Sequence, residues 1–433
     1  MTRKLFLGVL VCSAVLLLSP GLSSAQNGPA AVLRGHTMTP KSSLAEPGDA
    51  GVNAHTHLRL FVPPGAMNFG EAARPNELEP FPGAFFETPA SLGCIYHLVP
   101  REVPGCNPDV TTENPNVGKG GGAIALVDAF DDPTAASDLA KYSAQFGLPA
   151  ANLTVVFAQG TKPGLDRTGG WEIEESLDLQ MAHAMAPNAK LYLVECANNS
   201  LLNLFEGAAV AAQLVAAAGG GEVSMSFGSG EFDPTILQNS TISETVFDPV
   251  FLVPGVVFFA SAGDSPGPEY PSVSPNVVSA GGTSVSRDPN FGSFLLENTW
   301  QAAGQGSSVI EPRPAFQNIV QFVVGAGRGT PDLSFDANPS TGVWVYDTNA
   351  ALGTGWFVVG GTSVASPALA GIVNAAGGFR NSSQDENTEL YRHILGGSFN
   401  DIFYGTCGEH AIFATLGYDA CTGLGSPNSL RNK

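Results

Sequence analysis

From about residue 120 onward the chain alternates short apolar runs with helical stretches, and this limits it to a parallel sheet covered by helices on both faces. The runs at 123–127, 154–158, 190–194, 222–227 and 256–260 are bounded by turn residues and read as buried strands. Between them, segments near 134–146, 171–186 and 203–218 are amphipathic or Ala-rich and read as helices. No internal repeat or long linker interrupts 120–433, so one domain is expected there.

The first residues have a different character. Arg3 and Lys4 precede an apolar run over 5–18, Pro20 breaks it, and Ser23-Ser24-Ala25 offers a small-residue cleavage site before Gln26. That pattern is a secretory signal peptide over 1–25, because the run is short and wrongly flanked for a membrane span. Residues 26–90 are rich in Pro, Gly and Asn without clear periodicity, and are expected to form a short prosegment or N-terminal extension ahead of a domain over 91–433.

Removing Arg3 and Lys4 from 19 basic residues leaves 17 against 39 acidic ones, which disfavours nucleic acid and anionic membranes as partners. Only 13% of residues are charged, while Gly and Pro number 52 and 32, a composition that suits a loop-rich extracellular protein. Carboxylates neutralise in acid, so an acidic medium is compatible with this balance, though simple solubility explains the charge equally well. With Cys12 in the signal, the economical disulfide pairs are Cys94–Cys106 and Cys407–Cys421. Cys196, closing an apolar run, is expected to be a buried thiol.

Three local patterns carry chemistry. Gly360-Gly361-Thr362-Ser363 follows an apolar strand and opens a helical pattern containing Pro367, which is read as part of its opening turn. Glycines let a substrate chain approach closely, and a serine at a helix start gains a positive potential useful in attack on a carbonyl. An ordinary Ser N-cap after a glycine turn has the same local form. In the 171–186 helix, Glu174 and Asp178 are four apart, about 40° from each other on the helical wheel. Two carboxyls on one face share a proton and titrate together, so one can accept a serine proton at low pH. A solvated acidic first turn is the alternative. Finally, Asp264 ends the apolar strand at 256–260, at the edge where open parallel sheets place ligands. Protonated, it would donate to an oxyanion; an ordinary Asp turn is the bland alternative.

Together these residues resemble the sedolisin family, the serine-carboxyl peptidases, from about Ala123 to the C-terminus. The resemblance implies a subtilisin-like parallel sheet flanked by helices, with Ser363 as nucleophile, Glu174 as general base, Asp178 as its orienting partner and Asp264 as oxyanion stabiliser. Glu175 is also within helical reach of Asp178, but the family's Trp, two residues, Glu, then Leu-Asp favours Glu174. No His-Gly-Thr of the subtilisin type is present, so Asp128, where a subtilisin keeps its triad aspartate, is read as structural. The segment Val223-Ser-Met-Ser-Phe-Gly resembles the strand that pairs with substrate backbone. A calcium site is implied at the Asp401 and Asp419 side chains with the carbonyls of Ile402, Thr415 and Gly417, oxygen donors suited to Ca²⁺; Thr415 stands where the family usually has glycine. The implied activity is that of a secreted, acid-active, monomeric endopeptidase acting on proteins or peptides through an acyl-enzyme. A Ser-His-Asp subtilisin-like protease and a catalytically silent peptide-binding relative are the competing readings. The segment before the domain is short for a family whose members usually carry a sizeable inhibitory prodomain.

Overall fold

Alternate residues of the central strands enter two different hydrophobic cores. Ile124 and Leu126 join one, Ala123, Ala125, Val127 and Ala129 the other; Val257 and Phe259 likewise part from Val256, Phe258 and Ala260. A strand of period two buried on both faces must lie in a sheet covered on both sides. The computed structural model describes residues 35–63, 84–98, 108–109 and 118–433 except Asn239.

The strands Asn152–Phe157, Lys190–Cys196, Ala123–Ala129, Gly221–Met225, Val256–Ser261 and Val278–Arg287 lie side by side in that order, all parallel. Leu333–Asp336 continues the parallel pairing on Val278–Arg287, and Phe294–Thr299 pairs with the same strand antiparallel. The helices Gly170–Met185 and Thr362–Ala376 supply side chains to the first core, and Leu201–Ala217 to the second. The expected fold is therefore present: a parallel-rich sheet with helices on both faces. No helix among the described residues is long and apolar enough to cross a membrane.

Two local readings change. The strand expected at 222–227 stops at Met225, and Phe227–Gly230 forms a separate strand that leaves the main sheet. Residues 26–90 are not featureless where they are described: His55–Thr56 pairs antiparallel with Phe227–Gly230, and Arg59–Val62 pairs antiparallel with Gly353–Gly360. These strands are too short to show a period, and their order comes from the sheet edges they complete.

Cys407 and Cys421 are bridged, with their Cα atoms 5.6 Å apart. Cys94 is disulfide-bonded, while its expected partner Cys106 lies outside the described residues, as does the proposed signal segment. Cys196 is free and buried.

Candidate active site

The Gly170–Met185 helix is buried along its whole length, so its acidic first turns are not a solvated face. Asp166 starts it by accepting the backbone N–H groups of Gly170 and Trp171 at 3.0 and 3.1 Å, and the helix ends before Pro187. It lies against the Thr362–Ala376 helix at close range. A β-carbon on Gly371 would stand 2.7 Å from Met185 Cβ, so glycine is what lets the two helices meet.

This packing brings Glu174 and Asp178 to Ser363. Both carboxyls are fully buried. Both Glu174 oxygens lack an aligned hydrogen bond, yet the Ser363 hydroxyl is close enough to favour the ionised carboxylate. Burial, then the neighbouring Asp178, pushes Glu174 well above the usual carboxylate range. Burial raises Asp178 as well, while the Ser226 hydroxyl, 2.7 Å from Asp178 Oδ1, opposes it. Glu175 is buried too, but it feels Asp128, Asp132 and Glu195 and has no interaction with the Ser363 hydroxyl, which Glu174 has. The spacing-four pair is thus the one brought to the serine.

Ser363 occupies the second position of its helix, after Gly361 at φ 101°. Pro367 lies inside this helix and not in its opening turn, which corrects the reading made from sequence. A proline there cannot bond the carbonyl four residues back. That carbonyl belongs to Ser363 and finds the Ser226 hydroxyl at 3.4 Å instead. Asp264 completes the group. Its Oδ1 accepts the Thr362 backbone N–H at 2.8 Å and the Thr362 hydroxyl at 3.1 Å. Burial raises its pKa, opposed by His57, Arg59 and these Thr362 bonds.

The cleft is filled by the chain's own segment 55–62. The Ser363 N–H donates to the His57 carbonyl at 3.1 Å, and the His57 N–H lies 3.4 Å from the Ser226 carbonyl and 3.2 Å from Ser363 Oγ. Arg59 Nε reaches Asp264 Oδ2 at 3.3 Å. A β-carbon on Gly361 would fall 2.0 Å from the His57 carbonyl oxygen and 2.8 Å from Asp264 Oδ2, so only glycine admits this backbone. Sequence reasoning missed His57, Arg59, Ser226 and Glu269, because their contacts join distant parts of the chain.

Among the described residues no histidine ring is hydrogen-bonded to Ser363. His57 spends its ring nitrogens on Ser261 Oγ and Glu269 Oε2, and His183 Nε2 bonds the Pro149 carbonyl at 2.9 Å. His55, His57 and Glu269 are also the one grouping, among the described residues, with ligand atoms close enough to share a metal ion, all within 4.8 Å.

At the C-terminal end, Asp401 Oδ2 accepts the Gly417 N–H at 3.0 Å and Asp419 Oδ2 accepts the Thr415 N–H at 3.2 Å. The two carboxylates predicted to bind calcium thus accept from backbone N–H groups two residues apart in the same loop, with Ile402 next to Asp401 in sequence.

No family model matches the chain. Kumamolisin from a Bacillus species is 28% identical over 348 residues, spanning 72% of this chain and 59% of the relative. Sedolisin from a Pseudomonas species is 34% identical over 113 residues, 24% of this chain and 18% of its own length. Tripeptidyl-peptidase 1 of Dictyostelium discoideum is 25% identical over 369 residues, 75% of this chain and 57% of that protein. The chain thus spans less than two thirds of these relatives. Among solved structures, a Pseudomonas sedolisin described as a serine-carboxyl proteinase, complexed with two molecules of pseudo-iodotyrostatin, superposes with a TM-score of 0.63 at 22% identity. It covers 80% of this chain and 96% of its own. That likeness is one of fold.

Proposed function

The chain belongs to the sedolisin family, with its subtilisin-like fold, and on that premise we propose that it is a secreted, acid-active serine-carboxyl endopeptidase. The observation that carries the reading is the meeting of Ser363 with two fully buried carboxyls, Glu174 and Asp178, on the helix packed against its own. In the proposed reaction, Ser363 Oγ attacks a substrate carbonyl carbon while its proton passes to Glu174. Asp178 shares the second proton of the pair and holds Glu174 in place. The new oxyanion takes hydrogen bonds from the Ser363 N–H and from a protonated Asp264. Collapse expels the amine, which receives the proton from Glu174, and water then cleaves the acyl-enzyme by the reverse path.

Asp264 must carry a proton to donate, and its burial favours one. Arg59 and His57 of the cleft segment oppose that protonation without overcoming the burial, so the segment blocks the cleft and weakens the bias towards the donating form. This supports reading 26–90 as a short prosegment ahead of a peptidase domain over 91–433; the signal peptide over 1–25 rests on its sequence pattern alone. Substrates are proteins or peptides, and the protein acts as a monomer. Asp401 and Asp419, with the carbonyls of Ile402, Thr415 and Gly417, form a hard oxygen donor set suited to one Ca²⁺, which would stiffen the loop they clasp.

Casein cleavage measured from acid to neutral pH, for the wild type and Ser363→Ala, tests the reading. Activity should peak in acid, fade as Asp264 and the dyad ionise, and vanish in Ser363→Ala with the circular dichroism spectrum unchanged. An alkaline optimum, or full activity in that variant, would overturn it.

A further inference from the structure

Three short strands at the cleft leave a small hollow between their side chains. His55–Thr56 and Glu269–Tyr270 flank Phe227–Gly230, with His55 opposite Gly228 and Glu269 opposite Gly230. Glycine in the middle strand gives side chains from both outer strands room to meet above it. A β-carbon on Gly228 would lie 2.5 Å from Glu269 Oε2 and 2.7 Å from His57 Cε1, filling that room.

Two buried imidazoles converge there on one carboxylate oxygen. Glu269 Oε2 stands 2.8 Å from His57 Nε2 and 3.2 Å from His55 Nε2. One ligand atom from each of the three residues lies within 4.8 Å of the others. Tetrahedral ligands about 2.0–2.1 Å from a zinc ion stand about 3.3 Å apart, so both carboxylate–imidazole distances are within about 0.5 Å of a ligand spacing. His57 Nδ1 meets Ser261 Oγ at 2.6 Å, the kind of outer hydrogen bond that orients a ligating imidazole and leaves Nε2 to the metal. His55 Nδ1 has no hydrogen-bond partner among the described residues, so nothing draws that ring away from the group. Without a metal, the cluster needs a proton on each Nε2; a divalent ion takes a lone pair from all three groups at once.

We propose that His55, His57 and Glu269 bind one first-row divalent transition-metal ion, Zn²⁺ by their donor set, and that the ion pins the segment 55–62 in the cleft. Two imidazoles with one carboxylate suit zinc and its neighbours, whereas Ca²⁺ takes oxygen donors. Two of the three ligands belong to the cleft segment and the third to the Glu269–Tyr270 strand, so the ion cross-links them. The His57 carbonyl accepts the Ser363 N–H, so a residue that the ion holds lies directly on the serine. That pinning is a regulatory device only on the reading of Ser363 as nucleophile; the ion site itself does not depend on it.

The test titrates the chelator-treated full-length chain with ZnCl₂ by calorimetry at about pH 7, where free histidine is mostly neutral, with excess Ca²⁺ present to fill any oxygen site. One Zn²⁺ per chain should bind, and Glu269→Gln and His55→Gln should each weaken binding by about a hundredfold or more. X-ray absorption at the zinc edge of the wild type, which needs no variant to fold, should show a nitrogen and oxygen shell containing two imidazoles. Amide hydrogen exchange over 55–62 should slow by about tenfold when Zn²⁺ is added to the wild type, and stay unchanged in Glu269→Gln. Absence of stoichiometric binding, binding that survives both substitutions, or a zinc shell without two imidazoles overturns the site. Binding that leaves exchange over 55–62 unaltered overturns the pinning. Casein left uncleaved at every pH, with or without Zn²⁺, counts against the peptidase reading and leaves the ion site standing.

Discussion

Glu174 and His183 lie on the same helix and represent the two ways a serine can be activated. Glu174 is buried beside the Ser363 hydroxyl with both oxygens otherwise unpartnered. His183 is tied to the Pro149 carbonyl and burial lowers its pKa, so its ring has a structural partner and none in Ser363. Glu174→Gln should therefore cut kcat by about 10²–10⁴-fold. His183→Gln should keep its activity and lose about 1 kcal/mol of stability in urea unfolding. The reverse pattern would move the base to histidine. Ser363, Glu174, Asp178 and Asp264, which the fold brings together, could be singled out as candidates because each sits in a local pattern: a glycine turn, a helical spacing, a strand end. Glu269 and Arg59 had no such signal, since their contacts to His57 and Asp264 bridge 212 and 205 residues. Spacing along a chain carries no information about pairs that only the fold brings together.

At the scale of elements, the long parallel strands announced themselves and the short edge strands did not. Strands of six or seven residues buried on both faces open with continuous apolar runs, as in Ala123–Ala129 and Val256–Ser261, and carry a polar residue only near the carboxyl end. Phe227–Gly230 and His55–Thr56 are shorter, glycine-containing or polar, and are defined by each other. The C-terminal loop is a similar case, because Asp401 and Asp419 accept backbone N–H groups of Gly417 and Thr415 in a region of two-residue strands. A cation bound only by the folded chain adds RT ln(1 + [L]/Kd), about 2.7 kcal/mol at a hundredfold excess over Kd. Excess EGTA should accordingly lower the melting temperature by several degrees, and added Ca²⁺ should restore it. A melting temperature indifferent to both would remove the calcium assignment.

At the scale of the whole molecule, the buried carboxyls around the candidate site outnumber the cations among the described residues that could balance them. Asp128 on the central strand is pushed up to about 8 by burial and by Asp132, Glu195 on the neighbouring strand to about 8 by burial and Asp131, and Asp132 to about 6 by burial. Glu175 on the facing helix is raised well above its usual value by burial and Asp128. Glu172, on the same helix, is raised to about 7 by burial and Asp132. The cation that meets this group among the described residues is Lys162, itself exposed, at 3.0 Å from Asp131. Asp128 also raises Glu174 and Asp178, so the cluster and the dyad titrate in one field. Each of these acids has a folded pKa above its unfolded value of about 4, so the folded state holds the proton more tightly. Their contribution to stability is complete below about pH 4 and is lost as pH rises through about 6 to 8, by up to about 1.4 kcal/mol per pH unit for each proton that the fold alone retains. Glu269, Asp233 and Glu389 work in the opposite direction, being pulled below their usual value, as does Lys433, whose pKa burial lowers, but the raised acids outnumber them. The melting temperature should therefore be highest in acid and decline towards neutrality, and Asp128→Asn should flatten that decline by removing the central charge. A melting temperature that climbs between about pH 4 and 8, or a decline that Asp128→Asn leaves as steep, would mean that the buried acids are neutralised by something other than protons.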